Sequence, residues 1–226
     1  MSFLNRVGWI FVSPANVFVD IREGRAPWWQ PWLCLSLIYM VIGYLSMPIQ
    51  LAVMETNPSN LTLDQLDQQI EMTEKFGMLQ LLATPVIMLI IGLVIGGITY
   101  IAVSIMSAKA TFKQYFSLAI FASLVTVPSQ LISTLVLRAR GTESIRSAED
   151  AYVSISLRFL APEDSGILKA LLSTIEFFSI WSLVVLAMGL MAIFGLSRGQ
   201  SIVAILPWWL ISVVMALISQ ALGGLG

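Results

Sequence analysis

The sequence predicts an all-α integral membrane protein whose five transmembrane helices form one bundle. Of its 226 residues, 58% are hydrophobic and only 11% are charged, whereas a soluble domain has about 25% charged residues. A helix needs roughly 20 apolar residues to cross a bilayer, and five stretches reach that length: residues 32–54, 78–106, 115–137, 167–196 and 202–222. The segments between them are too short to fold separately. We therefore expect a single membrane domain over residues 1–226.

Residues 1–30 are predicted to form an interfacial segment on the cytoplasmic side of the membrane. Apolar residues recur at helical spacing from Phe3 to Phe11. A second short helix is expected to begin with Ser13 as its cap and Pro14 in its first turn, and to end at Gly24. Both helices are expected to lie flat in the interface.

Small helical loops are predicted on the opposite side of the membrane. In the first, Thr62 and Gln65 have the spacing of a capping box and begin a helix that reaches Lys75. In the second, a helix is expected to end at Pro162. The apolar face of that second helix is formed by Ala148, Tyr152, Ile155 and Phe159.

Small residues and prolines mark special positions within the spans. Gly92, Gly96 and Gly97 give the second span a small-residue face, which indicates close helix packing inside the protomer or, alternatively, a dimer contact. Three prolines are expected to kink or end their helices: Pro48, Pro85 and Pro128.

Glu176 is the residue of the fourth span that most needs an explanation. It lies about eight residues inside that span, which is some 12 Å at about 1.5 Å per residue. A carboxylate at such a depth costs at least about 2–3 kcal/mol unless it is protonated or paired. Ser173 and Ser179 share its helix face, and Gln130 of the third span is an expected neighbour. The four residues form either a structural polar cluster or a proton- or cation-handling site.

Residues 195–199, Gly-Leu-Ser-Arg-Gly, match the G-x-S-x-G pattern of hydrolases. That motif needs a strand before the serine and a base that takes its proton. Here it joins two predicted membrane helices in a chain that has no histidine. The two glycines therefore indicate a tight turn between helices.

Charges and tryptophans indicate the orientation of the chain. The loops on the side of the N-terminus carry a net positive charge, and the loops on the other side carry a net negative charge. Lys and Arg tie in number between the sides, but those on the N-terminal side lie in shorter loops. We expect the N-terminus in the cytoplasm and the C-terminus outside. Five interfacial anchors lie on the N-terminal side: Trp28, Trp29, Trp32, Trp208 and Trp209.

The composition excludes several classes of function. Twelve Lys and Arg against 13 Asp and Glu give no basic excess that could hold nucleic acid. The chain has no histidine and one cysteine, Cys34, so the usual zinc sites and every Ser-His or Cys-His pair are absent. We expect no enzyme activity, no metal and no cofactor.

Four short motifs follow one another in the sequence. They are Ser-Pro-x-x-x-Phe at residues 13–18, Thr-Pro at 84–85, Ala-Thr-Phe-Lys-Gln-Tyr-Phe at 110–116 and Ile-Glu-Phe-Phe-Ser-Ile-Trp at 175–181. Their order and spacing resemble the bacterial branch of the Yip-one domain family, the Ypt/Rab-GTPase-interacting membrane proteins. The resemblance covers nearly the whole chain. It implies five spans, a cytosolic N-terminus and, with so short an N-terminal segment, a bacterial inner-membrane location.

Eukaryotic members of this family act in vesicle traffic through GTPase partners. The chain has neither their long cytosolic N-terminal region nor their Asp-Leu-Tyr-Gly-Pro motif. GTPase binding is therefore implied only by the distant resemblance and is not assigned to any residue here.

Two functions are compatible with the sequence. The first is a non-enzymatic membrane protein that binds other membrane proteins, self-associates or organises the bilayer, for example as an accessory subunit of a larger assembly or of trafficking or export. The second is a small oligomeric transporter or channel with Glu176 in its path. A water-filled cavity that reaches Glu176 would favour transport, and a dry core would favour the first function.

Overall fold

The computed structural model describes residues 1–56, 62–106, 111–147, 150–151, 153, 156–162 and 165–223. Five of its helical segments are long and apolar enough to cross a membrane, which confirms the predicted fold class. The helices follow the order α1 Phe3–Val12, α2 Pro14–Arg22, α3 Trp29–Thr56, α4 Leu63–Leu82, α5 Thr84–Ser104, α6 Phe112–Ser123, α7 Val127–Arg140, α8 Gly166–Ser173, α9 Phe177–Phe194 and α10 Arg198–Gly223. The candidate spans are α3, α5, the α6–α7 pair, α9 and α10.

The N-terminal helices α1 and α2 are both present, and one face of the pair packs against the bundle, while Leu4 and Val12 of α1 are exposed. Ile10, Val17 and Phe18 are fully buried, and the Phe18 ring lies 3.2 Å from the position that a Cβ on Gly189 of α9 would take. Because Gly189 has no side chain, the Phe18 ring can lie close to the backbone of α9. The pair therefore contributes to the main hydrophobic core.

Contacts at both ends of this pair show how it packs against the bundle. Arg22 Nη1 donates to the Ala192 carbonyl near the end of α9, at 3.2 Å. From Arg22 back to Pro14 the helix rises about 12 Å, and α1 contacts the 3-10 turn Leu124–Thr126 in the middle of the third crossing. The two helices thus form a hairpin that packs against α9 and the third crossing. Their position in the membrane interface stays a prediction.

The second crossing begins within α4. The predicted capping box is confirmed: Thr62 N donates to Gln65 Oε1 at 3.0 Å, and Gln65 N donates to Thr62 Oγ1 at 3.4 Å. Further along, a Cβ on Gly77 would meet the Met47 side chain of α3. The end of α4 therefore runs antiparallel to α3. The predicted stretch 78–106 is divided at Ala83 into the end of α4 and all of α5, because Pro85 lies in the first turn of α5 and favours a helix start.

The third crossing is slightly longer than the predicted 115–137 and runs over Phe112–Arg140. It narrows to a 3-10 turn at Leu124–Thr126 between α6 and α7. Pro128 is the second residue of α7 and has no N–H to donate to the carbonyl four residues earlier. The α-helix is therefore interrupted just before the proline that was expected to kink or end it.

The fourth predicted span, 167–196, is not one helix. α8 ends at Ser173 and α9 begins at Phe177, with an extended Glu176 between them (φ −119°, ψ 141°). The backbone leaves the helical path because Leu157 N donates to the Ile175 carbonyl at 3.0 Å. Hydropathy cannot reveal such a break, since both halves are apolar.

The turn at residues 195–199 joins α9 to α10. Gly195 ends α9 in the left-handed region with φ 69°. Ser197 N then donates to Gln200 Oε1 at 2.9 Å, and Gln200 N donates to Ser197 Oγ at 3.3 Å. This reciprocal capping gives the serine of the G-x-S-x-G sequence a structural role.

The second predicted loop helix can be followed only in part. Ala148, Tyr152 and Ile155 lie outside the described residues. Phe159 belongs to a short 3-10 helix, Leu157–Leu160, and is exposed.

Candidate functional site

Glu176 caps the start of α9. Its Oε2 accepts hydrogen bonds from Ser179 N at 2.9 Å and from Ser179 Oγ at 2.6 Å. The 18 residues of α9 rise about 27 Å, which is close to the roughly 30 Å thickness of a hydrocarbon layer. Glu176 therefore lies directly before the candidate span α9 and not about eight residues inside one continuous helix. Its depth in the membrane stays a prediction.

The second carboxylate oxygen of Glu176 is enclosed. Oε1 is buried and has no hydrogen-bond partner within the described part of the chain. An isolated antiparallel bridge pairs the backbone of Glu176 with that of Ser156. Ser156 is 2% exposed. A segment from the preceding loop thus covers the break between α8 and α9.

The structure brings only two of the four predicted polar residues together. Ser179 bonds to Glu176, whereas Ser173 Oγ donates to the Ala170 carbonyl at 2.7 Å. Gln130 lines a separate cleft of about 600 Å³ between α3, α7 and the loop that contains Val153. Its other polar lining residues are Ser46, Gln50, Ser133 and Thr134.

A second, partly open space lies between all five crossings. This central cavity has a volume of about 230 Å³. Its lining is mostly apolar and includes Leu35, Ile95, Ala122, Leu186 and Trp208, with four hydroxyl groups from Tyr39, Ser123, Thr126 and Ser182. Glu176 is not among the residues that line it.

The size of the central cavity determines whether it can hold a ligand. Protein interiors contain few voids larger than a water molecule. An engineered apolar cavity of only about 150 Å³ already binds benzene. The cavity is therefore large enough to take part of a ligand.

A buried ion cluster joins the two helices of the N-terminal hairpin. Asp20 accepts hydrogen bonds from Arg6 Nε at 3.0 Å and from Arg25 Nη2 at 2.7 Å. Asp20 is 3% exposed and Arg6 is 5% exposed. Burial alone would raise the pKa of Asp20, but hydrogen bonds from Arg25, Arg6 and the Met1 amine outweigh it and lower the pKa to about 2. In the sequence these charges indicated only the orientation of the chain, and the cluster was not predicted.

The small-residue face of α5 is used inside the protomer. A Cβ on Gly92 would lie 2.3 Å from Ile120 Cδ1, and one on Gly96 would lie 3.1 Å from the Phe116 Cα. Gly97 has open space around it. Gly92 and Gly96 thus allow α6 to pack closely on α5.

The predicted tryptophan anchors have specific packing partners. Trp32 Nε1 donates to the Pro85 carbonyl at 2.9 Å and so joins α3 to α5. The Trp28 ring meets Phe116 edge-on, with 5.2 Å between ring centroids. Trp29 is 49% exposed. The interfacial role of Trp29, Trp209 and the others stays a prediction.

The fold and these sites define a class: a polytopic helical membrane protein with a packed N-terminal helical hairpin and a mostly apolar core. Its family follows from comparison with known proteins. The Yip1 domain matches residues 9–219, and the chain belongs to this family, which confirms the resemblance seen in the sequence. The chain is also similar to the membrane protein YknW of Bacillus subtilis (strain 168), with 28% identity over 222 residues that cover 93% of this chain and 87% of that relative. No solved structure matches the chain.

Proposed function

We propose that this Yip1-family protein is non-enzymatic and binds other membrane proteins, or a second copy of itself, as an accessory subunit of a larger membrane assembly. The observation that carries the proposal is the role of Glu176. Its Oε2 caps α9 through Ser179, and its side chain does not line the central cavity. Glu176 is the chain's one carboxylate within a predicted span, and it caps a helix instead of lining a transport path.

The lining of the central cavity supports this proposal. A conduction path needs polar or charged groups that replace the hydration of the transported species. The cavity lining contains no Asp, Glu, Lys or Arg. Its hydroxyls bond to one another or to backbone carbonyls, so the lining offers no chain of charged groups across the bundle.

We further propose that the N-terminus faces the cytoplasm, that the C-terminus faces outside, and that the protein resides in a bacterial inner (plasma) membrane as a single domain over residues 1–226. The excess of positive charge on the N-terminal side supports this orientation. The bacterial origin of the similar protein YknW supports the location.

Photo-crosslinking in cells tests the partner-binding proposal. A photoreactive phenylalanine analogue is placed at Val214 and Ile218, which are exposed on α10. The matched control position is Leu186 of α9, which is buried. We expect discrete protein adducts from exposed span positions and none from Leu186. If outward positions on all five spans give only lipid adducts, the proposal is contradicted.

One observation favours the alternative of a small transporter. The Oε1 atom of Glu176 is buried without a hydrogen-bond partner in the described residues, as a proton-carrying group would be. Proteoliposomes that contain the purified protein and a trapped pH-sensitive dye test this alternative. We expect no proton flux above that of empty liposomes. A flux that is lost in Glu176→Gln would replace the first proposal with the second.

A further inference from the structure

The hydroxyl groups of the central cavity have already used their protons. Ser123 Oγ donates to the Ala119 carbonyl at 2.9 Å, and Thr126 Oγ1 donates to the Ser123 carbonyl at 2.9 Å. Because the Thr126 proton is committed, Tyr39 must be the donor in its 3.3 Å contact with Thr126. Ser182 Oγ donates to the Ser179 carbonyl at 2.8 Å. Each hydroxyl oxygen keeps acceptor capacity, so the site accepts hydrogen bonds and has no proton left to donate.

These acceptors lie near the middle of the bilayer. Tyr39 is about ten residues from the start of α3, which corresponds to about 15 Å of rise. Ser182 is about twelve residues from the end of α9, or about 18 Å. Both helix ends lie on the N-terminal side of the bundle, and the hydrocarbon layer is about 30 Å thick. The polar end of the cavity is thus about halfway across the hydrocarbon layer. Leu35 and Ile95 line its apolar part, which lies closer to the N-terminal side.

The depth restricts which ligands can reach these oxygens. A phospholipid keeps its charged headgroup in the interface, because an ion at the bilayer centre is costly. Water is scarce there as well. Only a molecule without charge can bring a hydrogen-bond donor to this depth together with an apolar body.

We propose that the central cavity binds an uncharged lipid through its free hydroxyl group. The hydroxyl donates to the oxygen of Tyr39 or Ser182, and the adjoining hydrocarbon fills the apolar part of the cavity. The volume of about 230 Å³ takes only the end of such a lipid, and the remaining chain lies among the surrounding acyl chains. This binding site is independent of any protein partner.

Native mass spectrometry of the purified full-length protein tests the proposal with two probes. The first is dioleoylglycerol, which has one free hydroxyl, and the second is its acetylated form, in which that hydroxyl is blocked. We expect a single dioleoylglycerol to be retained with at least threefold higher affinity than the acetylated form. Tyr39→Phe should weaken dioleoylglycerol binding about threefold to tenfold, the range for one neutral hydrogen bond. It should leave binding of the acetylated form unchanged.

Three controls make the result decisive. Tyr44→Phe changes a tyrosine of the same helix that is 60% exposed and does not line the cavity, so binding should not change. Ala122→Leu places a larger side chain in the cavity and should abolish retention of both probes. Ser182→Ala replaces Tyr39→Phe if the latter fails to fold. Equal affinity for the two probes, retention of neither, or preferential retention of dioleoylphosphatidylglycerol would overturn the proposal.

Discussion

Asp20 offers the strongest test of a single residue, because its one buried carboxylate accepts hydrogen bonds from two guanidinium groups. Asp20→Asn keeps the shape but leaves Arg6, which is 5% exposed, without its counter-ion. Removing one partner of a buried pair costs about 3–5 kcal/mol. We expect a clear fall in the detergent unfolding temperature. Asp67→Asn on the exposed face of α4 is the matched control and should change little. Equal stability of both variants would show that the cluster does not hold the hairpin.

The same carboxylate predicts a dependence of stability on pH. The pKa of Asp20 is about 2 in the folded protein, against about 3.9 in an unfolded chain. Its contribution is therefore complete above about pH 4 and is lost as the pH falls towards about 2. We expect the unfolding temperature of the wild type to fall across this range more steeply than that of Asp20→Asn. Parallel curves would contradict the prediction.

Glu176 separates a capping role from a transport role. Glu176→Gln keeps an oxygen that can accept from Ser179, so we expect nearly normal stability and normal function in complementation. Glu176→Leu removes the cap, and loss of a helix cap costs about 0.5–2 kcal/mol. Thermal unfolding in detergent measures the difference. A Glu176→Gln protein that folds normally but is inactive in cells would make transport the better explanation.

Residues differ in how far the sequence reveals their role. The capping boxes at Thr62 and Ser197 were open to prediction, because both partners lie within three residues of each other. Arg6 and Asp20 are 14 residues apart, and their contact depends on the turn between α1 and α2. Gln130 could not be placed away from Glu176 in advance, since the arrangement of helices around the bundle is not encoded in local spacing.

The packing of α5 against α6 gives a prediction at the level of elements. Gly96→Ala would force its Cβ to within 3.1 Å of the Phe116 backbone, and overpacking of this kind costs about 1–3 kcal/mol. Gly97→Ala is the neighbouring control, with no atom within 4 Å of the new Cβ. It should be neutral or stabilising by up to about 1 kcal/mol, because alanine is the better helix former. Only Gly96→Ala should therefore lower the unfolding temperature. If Gly97→Ala is the more damaging change, this face contacts a second protein instead.

Helical elements were predictable wherever composition and periodicity decide them. The five apolar stretches and the start of α2 at Pro14 followed from residue type alone, whereas the second stretch was predicted as one span and the start of α5 at Thr84 was not. The break before α9 did not, because it depends on the backbone bond from Leu157 to Ile175, two segments that meet only after folding. The packing of α1 and α2 against the bundle was not predicted, for a related reason. An amphipathic pattern predicts an apolar contact but does not say whether lipid or protein provides it.

Across the whole molecule, the N-terminal hairpin and the bundle stabilise one another through contacts with α9. Arg22 bonds to the last turn of α9, while Phe18 fills the space that Gly189 leaves in that helix. Loss of the hairpin would expose the core around Val185 and Leu190, which are fully buried. The side of the membrane on which the N-terminus lies therefore also determines where the hairpin and the ion cluster lie.

That orientation can be measured by cysteine labelling in intact cells. The native Cys34 is first replaced by alanine, and single cysteines are then placed at Ser144, which is exposed between α7 and α8, and at Gly199, which is exposed at the start of α10. A cysteine at Gly199 has open space around its Cβ. With an odd number of crossings and the positive loops inside, an impermeant thiol reagent should label the Ser144 position from outside. The Gly199 position should react only after the membrane is opened, which also controls for its reactivity. The reverse pattern would place the N-terminus outside, and labelling of both positions in intact cells would exclude a complete α9 crossing between them.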